Sequence, residues 1–300
     1  MNNDILAYYN RGAEADRLAL GAGRLELART QELVRRYLPP APAVVYDVGG
    51  GSGAYACWLA ALGYEVHLLD LMPLHVEQAR QASARQPEHP LASAEVGDAR
   101  RLPRGDGSVD AVLLLGPLYH LTERADRVAA WREAARVARP GGVVLAAAIS
   151  RFASTLDGLF TGAIDDPEFA AIAARDLADG QHRNATAKPH YFTTAYLHHP
   201  SELKGEVEAA GLHHEATLGI EGPGWLVRDI DAAWEDPARR ERLLAAVRAL
   251  EAEPTIIGAS AHLLACARRP ATIPSVDHTH NTVPGARWWG RGRGAVIRDA

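Results

Sequence analysis

The chain has 300 residues, is 47% hydrophobic and 23% charged, and carries a net charge of −5. That composition can bury a core, which excludes disorder over most of the length. No apolar run approaches the ~20 residues of a membrane helix, no basic-then-apolar leader opens the chain, and Cys57 and Cys266 are too few for a disulfide scaffold, so a cytoplasmic protein is expected. An acidic chain has no general field for nucleic acid or anionic lipid, and neither partner is expected.

Residues from Asp4 to Leu38 carry helical spacing, which Pro39, Pro40 and Pro42 then stop. Val44–Val48 is a short apolar, β-branched run ending in glycines and predicts a buried strand; Ala54–Leu62 predicts a helix closed by Gly63. Strands follow at Val66–Asp70, Ala94–Val96, Val109–Leu115 and Val143–Ile149, with helices at Leu74–Arg85 and Arg124–Ala138 between them. Strands alternating with helices at this spacing imply a doubly wound, parallel sheet whose ligands bind beyond the strands' carboxyl ends. From Arg151 to His199 the strand pattern lapses into helical pieces and polar, histidine-bearing loops; it resumes with a helix at Ser201–Ala210, a strand at Glu215–Ile220, a helix at Ala238–Glu251 and a strand at Ala261–Ala267. The expected organisation is a helical lid (1–38), a core (39–150), a cap insertion (151–200), completion of the core sheet (201–269) and a mobile tail (270–300).

Asp47-Val48-Gly49-Gly50-Gly51-Ser52-Gly53 joins the first strand to the first core helix. Glycines there let the backbone turn tightly and approach a ligand closely. Asp70 ends the second strand, where a carboxylate can accept ribose hydroxyls; Asp98, in Gly97-Asp98-Ala99 after the third strand, can accept an exocyclic amine. Arg136-Val137-Ala138-Arg139-Pro140-Gly141-Gly142 turns into the fifth strand.

In this order of motifs, the sequence resembles the class I S-adenosylmethionine-dependent methyltransferases over roughly residues 44–149, and more loosely over 201–267. The resemblance implies a Rossmann-like, mostly parallel seven-stranded sheet and S-adenosyl-L-methionine as cofactor. It further implies that Asp47, Gly49, Gly51 and Gly53 shape the loop at the methionine end, that Asp70 and Leu71 hold the ribose and flank the adenine with Met72, that Asp98 and Ala99 read the adenine edge, and that Leu115 offers backbone to the methionine portion. The nicotinamide alternative stays open on the glycine pattern, since Gly49-x-Gly51-x-x-Ala54 and Asp70 also suit a dinucleotide, although Asp47 would repel a pyrophosphate. A non-catalytic S-adenosylmethionine-binding module is the other alternative.

Methyl transfer needs an aligned nucleophile, and a base only where that nucleophile must lose a proton. Gly116-Pro117-Leu118-Tyr119-His120-Leu121 follows the fourth strand, which makes His120 the candidate base and Tyr119 its companion. The segment lacks the Asn/Asp-Pro-Pro-Tyr/Phe box of amide and nucleobase methylation, so transfer to an oxygen or nitrogen of a small molecule is expected. Candidate substrate-binding residues are Tyr8, Tyr9 and Arg11 in the leading helix, Arg151, His182, Arg183 and His198 in the cap, and Trp225 after the sixth strand. The cap histidines have no cysteine partners and no i, i+4 pairing on a helix, so no metal site is expected. The arginine–tryptophan run at 287–294 is expected to be idle.

Overall fold

A computed structural model describes residues 3–9, 17–186 and 188–271. Arg11, part of the leading helix and the tail from Thr272 onward therefore lie outside the described residues.

Among the described residues the leading stretch holds α1 (Asn3–Tyr9) and α2 (Ala22–Tyr37), the latter starting after Gly21 at φ 53°. The core then runs β1 (Val44–Val48), α3 (Ala54–Ala61), β2 (Glu65–Asp70), α4 (Pro73–Ala84), β3 (Ser93–Val96), β4 (Val109–Leu114), α5 (Arg124–Val137) and β5 (Ala138–Ser150). The next stretch holds α6 (Ala153–Thr161), α7 (Pro167–Asp179), β6 (Gln181–His182) and β7 (Ala195–His198). After it come α8 (Pro200–Ala209), β8 (His213–Gly219), α9 (Ile230–Glu235), α10 (Pro237–Leu250) and β9 (His262–Arg268).

The strands form one nine-stranded sheet with the path β3-β2-β1-β4-β5, to which β9 adds antiparallel on β5 and β8 antiparallel on β9. Alternation along the central strands explains the layering. Ala111, Leu113, Val143 and Leu145 face Leu33 and Val34 of α2, Leu59 of α3 and Val76 of α4. Val112, Leu114, Val144 and Ala146 face Trp131 and Ala134 of α5 and Leu203 and Val207 of α8. Truncating a fully buried anchor such as Trp131 would cost about 3–5 kcal/mol. Because β1 to β5 run parallel, their carboxyl ends gather on one edge, with Val48 beside Leu69, Asp70 beside Val96 and Asp47 beside Leu113. The direction of winding reverses between β1 and β4, and the crevice there is where a ligand belongs in such a sheet.

The seven-strand expectation omits two strands. The sequence between Arg151 and His199 shows no strand pattern, yet β7 pairs parallel with Ile149 and Ser150 of β5 and antiparallel with β6. Ile149 also pairs with His262 of β9, so β7 lies on the opposite edge of β5, where β4 ends at Leu114. The β6–β7 pair therefore rises over the turn that follows β4. A buried network fastens it: Arg127 of α5 donates Nε to Glu206 of α8 (2.8 Å) and stacks on the Tyr196 ring (3.7 Å), while His198 Nε2 lies 3.4 Å from Glu206. Helices α6 and α7 share a small core with Phe169, Ile172 and Tyr191. Among the described residues no helix is long and apolar enough to cross a membrane.

Candidate functional site

The glycine turn after β1 is tied to its neighbour: Gly49 and Gly50 donate to the Leu69 carbonyl at 2.6 and 3.3 Å. A Cβ on Gly49 (φ 73°) would lie 2.7 Å from the Pro117 ring, so glycine is what lets the turns after β1 and β4 touch. At Gly51 (φ 57°) a Cβ would meet no protein atom, and the space in front of it belongs to a cavity of about 330 Å³. That volume falls within the range of small-ligand clefts.

The cavity is walled by Asp70, Leu71 and Met72 after β2, Asp98, Ala99 and Arg100 after β3, Pro117, Tyr119, His120, Leu121 and Thr122 after β4, Tyr9 of α1, His75 of α4, and Arg183 and Thr194 of the segment after β5. Asp70 is already busy. Its Oδ2 accepts from Gly51 N–H (2.9 Å), its Oδ1 from Met72 N–H (2.8 Å), and His75 Nδ1 lies 3.2 Å away. One carboxylate can accept about four hydrogen bonds, so room remains for one hydroxyl more comfortably than for the two the sequence reading gives it. Asp98 accepts from the Arg100 guanidinium and amide, which hold its carboxyl below the usual range; Arg100 also pairs with Asp126.

Behind the glycine turn a second chamber, of about 80 Å³, contains Asp47, Leu115, Gly116, Tyr55 and His262, and shares Gly49, Gly51 and Tyr119 with the first. By geometry neither buried Asp47 oxygen accepts a hydrogen bond, although the Ala56 amide lies near enough to act on the carboxyl. Burial first, and the Asp70 charge second, push this carboxyl up to about 7; the Ala56 amide offsets them only in part. Across the chamber His262 Nδ1 lies 2.6 Å from Glu221 and 3.8 Å from Glu26. Burial alone would lower this imidazole, but Glu26 and Glu221 more than reverse it, to about 9. Glu26, Glu221 and His262 bring three ligand-type atoms within 4.8 Å of one another, but Arg17 already pairs with Glu26, and Ser260 Oγ and His262 N–H donate to Glu221. The trio is an internally compensated ion cluster. Nothing in the spacing of residues 26, 221 and 262 could have announced it.

His120 sits in a three-residue turn of 3₁₀ helix, Leu118–His120. Its Nδ1 lies 3.4 Å from the Thr194 carbonyl and its Nε2 2.6 Å from the Tyr9 hydroxyl. A carbonyl only accepts, so Nδ1 carries the proton and Nε2 of the neutral ring accepts from Tyr9 O–H. Burial lowers the imidazole to about 4, and the Thr194 contact and Asp70 restore only part of that. The Tyr119 ring packs edge-on at 4.6 Å and Phe192 lies at 6.0 Å. Phe192 holds φ 65°, a left-handed conformation worth about 1–3 kcal/mol of strain in a bulky residue.

The remaining sequence candidates divide. Arg183 lines the cavity, and Tyr8 backs Tyr9 and Phe192 edge-on at 5.2 and 5.3 Å. Gly53 opens α3 against Ala79 rather than facing the cavity. Arg151, His182, His198 and Trp225 are spent elsewhere. Arg151 pairs with Glu202 and bonds Tyr196; His182 faces Asp176 (2.8 Å) and the Tyr191 carbonyl (2.8 Å) with its two ring nitrogens. Trp225 donates to the Ala259 carbonyl (2.9 Å). These four serve the packing of the segment after β5 and of the strand edge, where their contacts are with protein groups; only Nδ1 of His198 is left buried without a partner. His75, Thr194 and Phe192 are site neighbours that sequence reasoning missed.

Comparison with known proteins bears on the family and the fold. A family model described as a methyltransferase domain matches residues 46–146. The methyltransferase GfsG of Streptomyces halstedii is 32% identical over 166 residues, 55% of this chain and 56% of that protein. The ubiquinone biosynthesis O-methyltransferase of Xanthomonas axonopodis pv. citri is 31% identical over 197 residues, 65% of this chain and 72% of that protein. The chain spans about half the length of the curated relatives it matches first, 56% and 42%. An S-adenosylmethionine-dependent methyltransferase structure from Mesorhizobium loti superposes with a TM-score of 0.55 at 18% identity, covering 82% of this chain and all of that one, which speaks for the fold.

Proposed function

The chain belongs to the class I S-adenosylmethionine-dependent methyltransferases, and from that premise we propose that it methylates an oxygen or nitrogen of a small molecule with His120 as the base. The observation that carries this reading is the pair of unpartnered Asp47 oxygens beside the Gly49–Gly51 turn, one wall away from the His120 cavity. A buried carboxylate without a partner is costly unless a cation completes it. Asp47 in the chamber suits the ammonium of an amino acid. A pyrophosphate beside Asp47 would be repelled, so the nicotinamide alternative gains nothing from the chamber. The cofactor-binding set is thus Asp47, Gly49, Gly51, Asp70, Leu71, Asp98, Ala99 and Leu115. When bound, S-adenosylmethionine supplies a methyl group already activated on a sulfonium.

The protein's own part is to place the acceptor, keep water away and hold its proton. Tyr119 stands where the two chambers meet. Helix α1 brings Ile5 and Tyr9 onto the same opening, and the segment 151–200 contributes Arg183 and Thr194 from above; in this reading they are lid and cap. The cap is not excisable as a unit, because β7 is hydrogen-bonded into the sheet. His120 is neutral at pH 7 but a weak base at about 4, and its Nε2 lone pair is held by Tyr9 O–H; Tyr9 must turn aside before the ring takes the acceptor's proton in concert with bond formation.

The decisive assay follows S-adenosylhomocysteine formation from labelled S-adenosylmethionine against a panel of phenols and amines. Release with none of them, despite cofactor binding, would favour the non-catalytic module. Asp70→Ala should weaken S-adenosylmethionine and S-adenosylhomocysteine together by at least about tenfold, since it removes both a charge-assisted acceptor and the anchor of Gly51 N–H. Titration calorimetry showing parallel losses in a folded variant is the expected result; unchanged affinity would remove Asp70 from the site. Tyr9→Phe frees the Nε2 lone pair of His120, so kcat should stay within about tenfold of the wild-type value. A loss as large as that of a His120 variant would make Tyr9 an obligatory proton relay.

A further inference from the structure

Arg183 follows β6 and has five N–H donors. Nη1 donates to the His182 carbonyl (2.8 Å) and the Ala195 carbonyl (3.1 Å), and Nη2 bonds Gln181 Oε1. The donors left over are Nε–H and one Nη2–H, on the edge that grips a carboxylate or phosphate side-on. No described carboxylate lies within ion-pair distance of Arg183, whereas the other arginine of the cavity, Arg100, is neutralised by Asp98 and Asp126. Partial burial, followed by the charge of Arg175, draws the Arg183 guanidinium below its usual range, and Glu123, Asp179 and Asp176 offset this from beyond ion-pair distance. Three neutral acceptors fix it there. Its position relative to the base is also set: Arg183 hangs on the Ala195 carbonyl and His120 on that of Thr194, the preceding residue. Two hydrogen-bond lengths and one residue rise put the groups on the order of 10 Å apart, the span of a substituted aromatic ring.

We propose that Arg183 selects acceptors carrying a carboxylate or phosphate, held side-on by Nε and Nη2 while the nucleophile reaches His120 across the cavity. The proposal rests on the methyl-transfer reading of that cavity and names its substrate class. Asp70 and Asp98 do not compete for the guanidinium, because each is already engaged by donors of its own.

The test uses the full chain saturated with S-adenosylhomocysteine and titrated with 3-hydroxybenzoate, 4-hydroxybenzoate, anthranilate and phenyl phosphate, each acid paired with its methyl ester and the phosphate with phenol. At least one anion should bind tenfold or more tightly than its neutral partner. Arg183→Gln should bring that ratio to within twofold and leave S-adenosylhomocysteine affinity unchanged, while Arg183→Lys should keep part of the preference. The wild-type comparison needs no variant, so a misfolded Arg183→Gln cannot shelter the idea. Absence of any preference for the anions overturns it, as does a matching loss of S-adenosylhomocysteine affinity in Arg183→Gln, which would move Arg183 to the cofactor. Labelled methyl transfer separates the two readings. Transfer to neutral phenols alone sinks the anion subsite and leaves the methyltransferase. Arg183-dependent anion binding without transfer to any acceptor sinks the methyl-transfer reading and leaves the subsite.

Discussion

His120→Ala should lower kcat by about 10²–10⁴-fold while changing S-adenosylmethionine affinity by less than about twofold. The imidazole touches Tyr9 and Thr194, whereas the proposed cofactor contacts are made by Asp47, Asp70 and Asp98. The pH profile identifies the mechanism. A histidine at its ordinary value would impose an acid limb near pH 6.5; His120, lowered to about 4 by burial, should leave the wild-type rate flat down to roughly pH 5. The same shift has a stability consequence. Because the folded value lies below the unfolded one, the unfolded chain binds the extra proton, so the stability this group contributes is present above about pH 6.5 and is lost as pH falls toward 4. The alanine variant should lose that part of the acid sensitivity. A wild-type rate, or a loss of cofactor affinity equal to the loss of rate, would assign His120 to structure and leave Tyr119 to position an acceptor that needs no base.

Asp47→Asn should do two opposite things. In the ligand-free protein it should raise stability by up to about 4 kcal/mol at pH 8, because an ionised Asp47 is buried without a partner and its carboxyl sits at about 7 instead of near 4. The sign follows from proton binding. Between about pH 4 and 7 the folded state holds a proton that the unfolded state has released, so wild-type stability falls through that window and the asparagine variant should not show the fall. At the same time S-adenosylmethionine affinity should drop about 10–100-fold, since an amide cannot match a buried ammonium as a carboxylate does. Binding to the wild type near pH 7 should also release protons, which calorimetry in buffers of different ionisation enthalpy measures. A variant that is no more stable and binds as tightly would show that Asp47 is a packed acid with no ligand to meet. Stability given up at a functional site in this way is a familiar trade.

Both effects were half visible before any coordinates. The sequence places Asp47 two residues before Gly49 and puts His120 just past β4, because strand periodicity and glycine punctuation are local signals and parallel strands bring their following loops to one edge. What it does not carry is the partner of each group. Tyr9 and His120 lie 111 residues apart, and Glu26, Glu221 and His262 come from three distant stretches. The state of His120 depends on the first pairing and the charge of His262 on the second. Strand β7 was missed for a related reason: four residues hydrogen-bonded to the end of β5 need no alternating pattern when both faces are covered.

The sequence by itself determined the doubly wound core, the glycine turn and the acids at the ends of β1, β2 and β3, since each follows from local periodicity or from residue types adjacent in the chain; the cofactor class came from the family resemblance of those motifs in order. Only the tertiary structure decided which polar side chains of the segment 151–200 face the cavity. Arg151, His182 and His198 met Glu202, Asp176 and Glu206 inside the protein and are consumed there, whereas Arg183 met carbonyls alone and keeps its charge toward the cavity. The physical reason is that most buried polar groups are held by a partner, Asp47 being an exception, and the partner is chosen by long-range packing that no spacing along the chain encodes.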